Sequence, residues 1–432
     1  MDVSQLASIA VGRLSPQEIR VSPPGSKSIT NRALLLAALS DGASKLSGVL
    51  RAEDTDLMRE CLTQLGIELT EHDSTTFTVH GKSGELAATR GEPLFVGTAG
   101  TAARFLTAVL AATGTKRRGT ISVDGSPRMR ERPMAQLLDA LTAQGASLRA
   151  EDVAGCLPLS ILEGSKLRGG QIRFARPASS QFISALLLSG LFADEPTTIL
   201  LEQGTPARPY VDMTLNTMVV FGGNAEWSAD EELFVTPGAL SASDYLIEPD
   251  ASAASYFLAL GAISGSNATI DGLGSDSVQG DAGFYRVLET MGAVASQTTQ
   301  QTQVTGQSLR GAELDLTDMP DMTLTAAVVA LYAQGPTTIR GVEILRHHES
   351  DRIAAGAAEL RKLGAEVKEL DDGLHIVPPA SLTVGAQIET YKDHRMAMAF
   401  ALCGDVTILD PGCVNKTYPR YFDELQSLGM LA

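Results

Sequence analysis

Residues 23–32, Pro-Pro-Gly-Ser-Lys-Ser-Ile-Thr-Asn-Arg, place two cations among hydroxyl groups just before an apolar helical segment. The prolines disfavour helix before Gly25. Backbone N–H groups at a helix start point one way and carry partial positive charge, so Lys27 and Arg32 would complete an anion site. The glycine and lysine spacing of a nucleotide-binding P-loop is not met. The segment therefore predicts an anion site of another kind, with an ordinary capped helix as the alternative.

Five further segments are rich in polar side chains, and all but residues 178–182, which carry hydroxyl and amide groups only, contain cations. They are residues 94–104, 126–133, 178–182, 348–352 and 391–398, the last followed by Lys416. Within residues 126–133, three arginines lie near Glu131 and could equally form a solvated salt-bridge network. We assign only Arg128 of the three to a site and interpret Arg130 and Arg132 as surface charges.

Two other groups have plain structural interpretations. His347-His348-Glu349 could suggest a metal site, but adjacent side chains point apart and no His-x-x-x-His spacing accompanies them. We therefore predict no metal. Asp54 and Asp56 precede an amphipathic helical segment, and we interpret them as helix caps.

Composition limits the class of protein. The 432 residues suit two domains, and a net charge of −17 argues against nucleic acid or a membrane surface as partner. An acidic chain that binds an anion must gather its few cations locally. The N-terminal residues lack the features of a secretory signal, and the four cysteines lack metal-type spacing, so we expect a cytoplasmic protein with reduced thiols.

One helix pattern recurs six times along the chain. Each copy is an amphipathic helix that ends before a glycine, and in five of the six copies the residue before the glycine is apolar. The six glycines are Gly66, Gly145, Gly222, Gly292, Gly364 and Gly429. Their spacing of about 65–80 residues indicates internal duplication, and each glycine is expected to close its helix in the left-handed conformation.

A second set of six helices alternates with the first and is apolar on nearly every side. These helices are predicted at residues 33–39, 101–112, 182–192, 252–263, 323–332 and 396–402. All-round apolarity means burial, and each helix opens with polar residues. We therefore predict an α/β protein of two pseudo-threefold domains, with buried helices inside, sheets outside and the polar helix starts facing one interdomain cleft.

The six clusters together resemble the 5-enolpyruvylshikimate-3-phosphate synthase family of enolpyruvyl transferases. The likeness runs in order from about residue 21 to residue 428, on the sixfold repeat of βαβαββ units. It implies an inside-out α/β barrel with a two-strand hinge. The lobes are expected at residues 27–246 and at 1–26 plus 247–432, with the active site in the cleft between them.

The resemblance implies transfer of the enolpyruvyl group of phosphoenolpyruvate to the 5-hydroxyl of shikimate 3-phosphate, with release of phosphate and without a cofactor. This reaction belongs to the shikimate pathway of chorismate and aromatic amino acid biosynthesis. Shikimate 3-phosphate would be held by Lys27, Ser28, Arg32, Ser179, Ser180, Gln181, Tyr210 and Asp321. Phosphoenolpyruvate would be held by Lys27, Gly100, Arg128, Arg352, Arg395 and Lys416. Arginine suits this task because its planar fork binds carboxylate or phosphate with two hydrogen bonds.

The implied reaction needs groups that move protons at both ends of the new bond. Asp321, near Lys27, is the candidate at the hydroxyl, and Glu349 is the candidate at the methylene carbon. Surrounding cations should lower the pKa of Glu349, so it would need partial desolvation to act as an acid near neutral pH. Which carboxylate is acid and which is base stays open. His394, at the start of a buried helix, is a further candidate, with a structural role as the alternative.

Several positions depart from the family pattern. Thr98 and Phe105 stand on either side of Gly100 where asparagine and proline are usual, so sensitivity to the inhibitor glyphosate is not predictable. Ala207 replaces a phosphate-binding serine, for which Arg208 could compensate. Ile344 and His348 replace residues near the shikimate hydroxyls. Because His348 is a switchable cation, we predict weaker shikimate 3-phosphate binding as pH rises from about 6 to 8.

Two other functions remain as alternatives. The sister enolpyruvyl transferases that act on UDP-N-acetylglucosamine carry a reactive cysteine in a mobile loop, and residues 126–133 contain none. A non-catalytic anion-binding relative would have lost a carboxylate or a clamp arginine, and all of these are present. We expect a monomer that closes on shikimate 3-phosphate, because cations of both lobes must converge on one ligand.

Overall fold

The computed structural model describes residues 3–87, 91–114, 119–229 and 231–431. They form two compact units, which we call the central unit (Gly25–Ile247) and the terminal unit (residues up to Pro24 and from Glu248 on). The chain therefore passes from one unit to the other twice, after Pro24 and after Ile247.

The chain begins with two strands of the terminal unit, β1 (Ser8–Val11) and β2 (Glu18–Val21). The central unit follows, with helices α1 (Lys27–Leu39), α2 (Glu53–Gln64), α3 (Gly100–Ala112), α4 (Pro127–Glu131), α5 (Ala135–Ala143), α6 (Ser180–Gly190) and α7 (Arg208–Val220). Its strands are β3 (Asp41–Ser47), β4 (Glu68–Asp73), β5 (Thr76–Lys82), β6 (Leu94–Phe95), β7 (Ile121–Asp124), β8 (Leu148–Ala150), β9 (Leu159–Ile161), β10 (Gly170–Phe174), β11 (Thr197–Leu201), β12 (Asn224–Ala229), β13 (Glu232–Thr236) and β14 (Tyr245–Leu246).

The terminal unit continues with helices α8 (Ala251–Ser264), α9 (Phe284–Thr290), α10 (Thr323–Ala330), α11 (Arg352–Lys362), α12 (His394–Ala401) and α13 (Tyr421–Ser427). Its further strands are β15 (Asn267–Asp271), β16 (Val294–Gln297), β17 (Gln301–Thr305), β18 (Glu313–Asp315), β19 (Thr337–Arg340), β20 (Glu366–Leu370), β21 (Gly373–Val377), β22 (Ala386–Ile388) and β23 (Val406–Leu409). Short 3₁₀ segments lie at Val3–Gln5, Gly280–Gly283, Pro320–Met322, Glu343–His347 and Pro411–Lys416.

The sheets of both units repeat one plan. In five four-stranded sheets the edge strand written first pairs in parallel with its neighbour, and the remaining pairs of neighbouring strands are antiparallel. These sheets are β14-β3-β5-β4, β6-β7-β9-β8, β10-β11-β13-β12, β2-β15-β17-β16 and β18-β19-β21-β20. The three-stranded sheet β22-β23-β1 keeps the parallel pair and completes it with the antiparallel β1. The predicted repeated α/β architecture is confirmed.

Two leading strands are exchanged between the units. β2 precedes α1 in the chain but pairs with β15 in the terminal unit, whereas β14 precedes α8 but pairs with β3 in the central unit. Each unit therefore obtains one strand from sequence next to the other unit. β1 also pairs in the terminal unit, with β23, so the whole segment up to Pro24 belongs to that unit.

The two predicted sets of helices are both present. Every residue of α3, α10 and α12 is buried, and α1, α6 and α8 are nearly as enclosed. The other repeat helices, such as α2 and α11, bury one face. The prediction placed the starts of several buried helices too late: α1 begins at Lys27 and α12 at His394. Polar side chains can occupy a first helical turn that is capped, here by Ser26 and Asp393.

The glycines that follow the amphipathic helices have the expected conformation. Gly66, Gly145, Gly222, Gly292, Gly364 and Gly429 all have φ between +78° and +105°. A side chain would strain the backbone there, which explains why glycine recurs at the same place in each repeat.

Candidate active site

The first predicted cluster lies at the start of α1. Ser26 caps the helix by accepting a hydrogen bond from the backbone N–H of Ile29. Lys27 follows with a side chain only 16% exposed, and its Nζ lies 3.3 Å from Oδ2 of the buried Asp54. The interpretation of Asp54 as a cap was wrong, because Ala52 occupies the cap position of α2. Asp54 instead holds the ammonium group of Lys27 in place.

Asp56 does not cap α2 either. Its Oδ1 lies 3.2 Å from Nε of Arg51 and is also paired with Nη1 of Arg59. The cap is closed by Thr55, whose hydroxyl accepts a hydrogen bond from the backbone N–H of Ala52. The sequence interpretation therefore placed the helix start too late, since α2 begins at Glu53 and includes both aspartates.

Arg32 is buried one turn further along α1. Its guanidinium donates to Thr214 Oγ1 (2.8 Å), Ser184 Oγ (3.3 Å) and the carbonyl oxygens of Ser28 (2.9 Å) and Tyr210 (2.9 Å). The groups that accept hydrogen bonds from Arg32 are therefore all neutral, and they belong to α1, α6 and α7. Burial lowers the pKa of Arg32 to about 10. A cation held among neutral acceptors is energetically costly, and a bound anion would offset that cost.

Phe105 packs directly on this cation. The guanidinium carbon of Arg32 lies 5.1 Å from the centroid of the Phe105 ring, which is fully buried in α3. The departure from proline at this position therefore gives Arg32 an aromatic neighbour. It leaves α3 helical throughout from Gly100 to Ala112.

A second set of cations surrounds the start of α3. Arg104 donates to the carbonyl oxygen of Gly100 (3.1 Å) and to Gln181 Oε1 (3.0 Å), so it links α3 to the first turn of α6. Arg132 is only 5% exposed and donates to the carbonyl oxygen of Thr98. A Cβ on Gly100 would lie 2.5 Å from Arg104 Nη1 and 2.8 Å from Arg132 Nη1. The interpretation of Arg132 as a surface charge was wrong.

The remaining predicted residues of the central unit have different environments. Ser179 caps α6 by accepting from the backbone N–H of Gln181 (3.2 Å), and Ser180 is buried in the first turn. Ser28 and Tyr210 are partly exposed near the contacts of Arg32. Arg128 is partly exposed and pairs with Glu131 at 2.9 Å.

The terminal unit gathers its predicted residues around Asp321. This carboxylate lies between two arginines: Oδ1 is 2.8 Å from Arg352 Nη1, and Oδ2 is 2.6 Å from Arg395 Nη2. Arg395 also donates to Tyr256 Oη and Ser252 Oγ of α8, both at 3.4 Å. Residues from α8, α11, α12 and the 3₁₀ segment before α10 therefore meet at one place.

Arg352 is the most strongly held cation of this cluster. Its Nε and Nη2 donate to the two oxygens of the fully buried Asp393 (2.8 and 3.2 Å), and Nη2 also donates to Glu349 (2.9 Å). Burial alone would lower the pKa of Arg352, but the carboxylates of Asp393, Glu349 and Asp321 together raise it above its ordinary value. Arg352 is therefore charged at every physiological pH.

Three further predicted residues lie in the same cluster. Lys416 is buried, with Nζ 3.8 Å from Glu349 Oε1. His348 accepts a hydrogen bond from Arg352 at Nδ1 (3.1 Å), so the proton of its neutral ring is on Nε2. His394 is buried in the first turn of α12, with Nδ1 3.5 Å from Asp393 Oδ1.

The charges of this cluster balance. Three cations, Arg352, Arg395 and Lys416, face three carboxylates, Asp321, Glu349 and Asp393. Asp393 is fully buried, whereas Asp321 and Glu349 retain 18% and 12% exposure. An arriving phosphate or carboxylate would therefore compete with the two partly exposed carboxylates for the same guanidinium groups.

Sequence reasoning missed several residues of these clusters. Arg104 has no predicted role, although a lone cation inside an all-apolar helix is a usable signal. Asp393 and Ser252 were predicted only as polar residues at the starts of buried helices. Ser184 and Thr214 gave no sequence signal, because a hydroxyl in a buried helix is common.

The environment of Ala207 bears on another departure from the family pattern. Ala207 has φ +52° and precedes α7. The guanidinium carbon of Arg208 lies 3.8 Å from the centroid of the Trp227 ring. Arg208 therefore stacks on an aromatic side chain of its own unit.

Within the described ranges, no helix combines the length and apolarity needed to cross a membrane. The same ranges contain no group of three or more His, Cys, Asp or Glu side chains placed to share a metal ion. His348 and Glu349 are instead in contact with Arg352.

Curated relatives match nearly the whole chain. A 3-phosphoshikimate 1-carboxyvinyltransferase from Serratia proteamaculans (strain 568) is 43% identical over 426 residues, which cover 95% of this chain and 96% of the relative. The protein of the same name from Nostoc sp. (strain PCC 7120 / SAG 25.82 / UTEX 2576) is 42% identical over 422 residues, with 96% and 97% covered.

Solved structures share the fold. An EPSP synthase from Acinetobacter baumannii superposes with a TM-score of 0.81 at 24% identity and covers 98% of both chains. The enolpyruvyl transferase NikO from Streptomyces tendae gives a TM-score of 0.77 at 18% identity, covering 98% of this chain and 97% of its own. The family model for EPSP synthase (3-phosphoshikimate 1-carboxyvinyltransferase) matches residues 12–425. The chain therefore belongs to the EPSP synthase family.

Proposed function

We propose that this protein transfers the enolpyruvyl group of phosphoenolpyruvate to the 5-hydroxyl of shikimate 3-phosphate and releases phosphate. The observation that carries the proposal is the cluster around Asp321, where Arg352 and Arg395 each donate one guanidinium nitrogen to a different oxygen of the Asp321 carboxylate. Guanidinium groups bind the carboxylate and phosphate oxygens of a ligand such as phosphoenolpyruvate in the same way. Family membership supplies the identity of the two substrates.

In the addition step, the 5-hydroxyl oxygen bonds to the central carbon of phosphoenolpyruvate while the methylene carbon takes up a proton. We assign the hydroxyl proton to Asp321 and the methylene proton to Glu349. The step forms a C–O bond and turns the methylene into a methyl group. Lys416, near Glu349 Oε1, would stabilise the negative charge of that carboxylate whenever it is ionised.

In the elimination step, the methyl group returns a proton and the bond from carbon to the phosphate oxygen breaks. Phosphate leaves with the electron pair of that bond, and the C=C double bond forms again. Arg352 is fixed by Asp393 and Arg395 by α8 and Asp321, so both cations are in position before charge develops on the leaving phosphate.

We propose that the central-unit cations bind shikimate 3-phosphate. Lys27, which is partly buried, and Arg32, which is buried, lie in the first half of α1, and the capped start of α6 adds Ser179, Ser180 and Gln181. The roles of Gly100, Arg128, Tyr210, His348 and His394 rest on the family likeness and remain proposals. A cytoplasmic location and a monomeric state also remain predictions.

Phosphate release distinguishes the proposed function from its alternatives. The wild type should release phosphate from phosphoenolpyruvate only when shikimate 3-phosphate is present, and UDP-N-acetylglucosamine should not replace it. Lys27→Met and Glu349→Gln should each lower kcat at least about a hundredfold. Release with the nucleotide sugar alone would favour the sister activity. Tight binding of shikimate 3-phosphate by calorimetry without turnover would favour the non-catalytic relative.

Glyphosate is the proposed inhibitor of the phosphoenolpyruvate site. Gly100 and the guanidinium groups of Arg104 and Arg132 lie together at the start of α3, and Phe105 follows in the next turn. Competition with phosphoenolpyruvate in the phosphate-release assay would support the proposal. Inhibition that is independent of phosphoenolpyruvate concentration would oppose it.

A further inference from the structure

Helix α11, which begins with the site residue Arg352, also carries a buried carboxylate in its last turns. Glu359 is fully buried, and its Oε1 accepts a hydrogen bond from the Tyr391 hydroxyl at 2.8 Å. Its Oε2 accepts from the backbone N–H of Glu389 at 3.1 Å and lies 2.8 Å from Lys362 Nζ. Glu359 thus binds the chain segment that precedes α12.

That segment contains an unusual turn. Asp393 N–H donates to the carbonyl oxygen of Thr390 at 2.8 Å, which closes a four-residue turn. The two central residues, Tyr391 and Lys392, have φ of +53° and +57°. Turns with two left-handed central residues favour glycine and asparagine, because other side chains meet the backbone there. Two consecutive bulky residues in this conformation must be held by their surroundings.

The hydroxyl of Tyr391 stays protonated and can therefore donate the hydrogen bond that holds the turn to Glu359. Desolvation raises the pKa of Tyr391 to about 12, and the hydrogen bond to Glu359 contributes to the rise. The phenol therefore keeps its proton across the physiological range. Because the Glu359 acceptor is a carboxylate out of contact with solvent, the hydrogen bond is of the strong, charge-assisted kind.

The turn leads directly into the site. The residue after Lys392 is Asp393, which caps α12 by accepting from the backbone N–H of Arg395 (3.0 Å) and holds Arg352 with both oxygens. Arg352 and Glu359 are seven residues apart on α11, on one face of the helix. α11 therefore holds the segment at two points, Glu389–Tyr391 through Glu359 and Asp393 through Arg352.

We propose that Glu359 is a positioning residue for phosphoenolpyruvate binding, acting through Tyr391 and the left-handed turn to fix Asp393 and the start of α12. This inference rests on the proposed function, because it assigns the guanidinium groups of Arg352 and Arg395 to that substrate. Without the contact, the turn would relax towards ordinary conformations, and Asp393 would hold Arg352 in a wider range of orientations.

The principal test variant is Tyr391→Phe, which removes one hydroxyl from an exposed residue. We expect the KM for phosphoenolpyruvate to rise about five- to tenfold with kcat within about twofold of wild type, as for loss of one hydrogen bond that orients a binding group. Adding Lys392→Gly should restore the KM, because glycine adopts the left-handed conformation without strain. Glu359→Ala should raise the KM at least as much. Tyr285→Phe, which removes a hydroxyl that accepts from Arg286 on α9, is the matched control.

Hydrogen exchange at the amides of residues 393–397 provides a readout that does not need activity. Faster exchange there in Tyr391→Phe and Glu359→Ala, together with the raised KM and its reversal by Lys392→Gly, supports the inference. An unchanged KM in an active enzyme overturns it, even if the melting temperature falls, because the contact would then be only structural. If the wild type releases no phosphate, the proposed function fails separately, and unchanged exchange at these amides overturns the positioning role.

Discussion

At the scale of single residues, two buried arginines have opposite surroundings. Arg32 donates only to neutral oxygens and has a pKa lowered to about 10 by burial. Arg352 is enclosed by three carboxylates, which raise its pKa above the ordinary value despite burial. A base whose pKa falls on folding costs stability while it is protonated, and for Arg32 that cost applies in full below about pH 10 and disappears as pH rises towards 12.5.

The two arginines should therefore differ in what they contribute to stability. We expect Arg32→Met to change the free energy of unfolding at pH 7 by no more than about 1 kcal/mol, whereas Arg352→Met should cost about 3–5 kcal/mol because it leaves Asp393 buried without its cation. Denaturant titration at pH 7 measures both. Equal losses in the two variants would mean that the neutral oxygens around Arg32 stabilise its charge as well as carboxylates do.

Gly100 tests the arrangement at the start of α3. An alanine Cβ would meet the ends of the Arg104 and Arg132 side chains, which are flexible and can move, rather than backbone. We expect Gly100→Ala to raise the KM for phosphoenolpyruvate about tenfold or more through displaced guanidinium groups, with little change in melting temperature. Gly238→Ala, where a Cβ meets nothing within 4 Å, is the control. If the KM of Gly100→Ala equals that of the control variant, Arg104 and Arg132 do not take part in binding phosphoenolpyruvate.

At the scale of elements, glycine has two separate uses in the repeats. At Gly429 it serves conformation, since φ is +78° and a Cβ would meet nothing within 4 Å. At Gly25 it serves close approach, since a Cβ would lie 1.7 Å from the carbonyl oxygen of Gly48. The turn before α1 can therefore form only if residue 25 has no side chain.

Alanine at these two glycines should have unequal effects. Gly429→Ala should cost about 1 kcal/mol of unfolding free energy from backbone strain. Gly25→Ala should displace the start of α1 and with it Lys27, so shikimate 3-phosphate binding should be lost together with much of the stability. Thermal melting with and without shikimate 3-phosphate checks both. A normal ligand-induced rise in melting temperature in Gly25→Ala would show that the approach to Gly48 does not position Lys27.

The elements were more predictable than the side chains that cap them. Segments that are apolar on every side predicted α3 and α8, and glycines predicted the ends of the amphipathic helices. Both signals are local in the sequence. Which polar side chain closes the start of α2 depends on contacts in three dimensions. The sequence alone therefore misassigned Asp54 as the cap of this helix. Contacts such as Arg104 to Gln181, 77 residues apart, follow from packing of separate helices and leave no mark in either segment alone.

At the scale of the whole molecule, an acidic chain concentrates cations at the starts of its buried helices. The net charge is −17, yet Arg32, Arg104 and Arg395 lie in the buried helices α1, α3 and α12, and Arg352 begins the amphipathic helix α11. In each unit an arginine links the first turns of neighbouring helices. Internal duplication explains why an arginine that links neighbouring helices occurs in both units.

The sequence-based expectation of closure on shikimate 3-phosphate remains a prediction. If the substrates need cations of both units, binding should draw the units together and reduce the radius of gyration. Small-angle scattering with and without shikimate 3-phosphate measures this change, and Lys27→Met is the control that should not respond. An unchanged radius of gyration of the wild type at saturating shikimate 3-phosphate would contradict the prediction of closure.

Deuterium incorporation tests the central claim of addition followed by elimination most directly. A transient methyl group must exchange hydrogen with solvent, so in D₂O the vinyl methylene of the product should carry deuterium, as observed by NMR. The incorporation should be lost, together with phosphate release, in Glu349→Gln. Product formed at the wild-type rate without deuterium in the methylene would contradict the account.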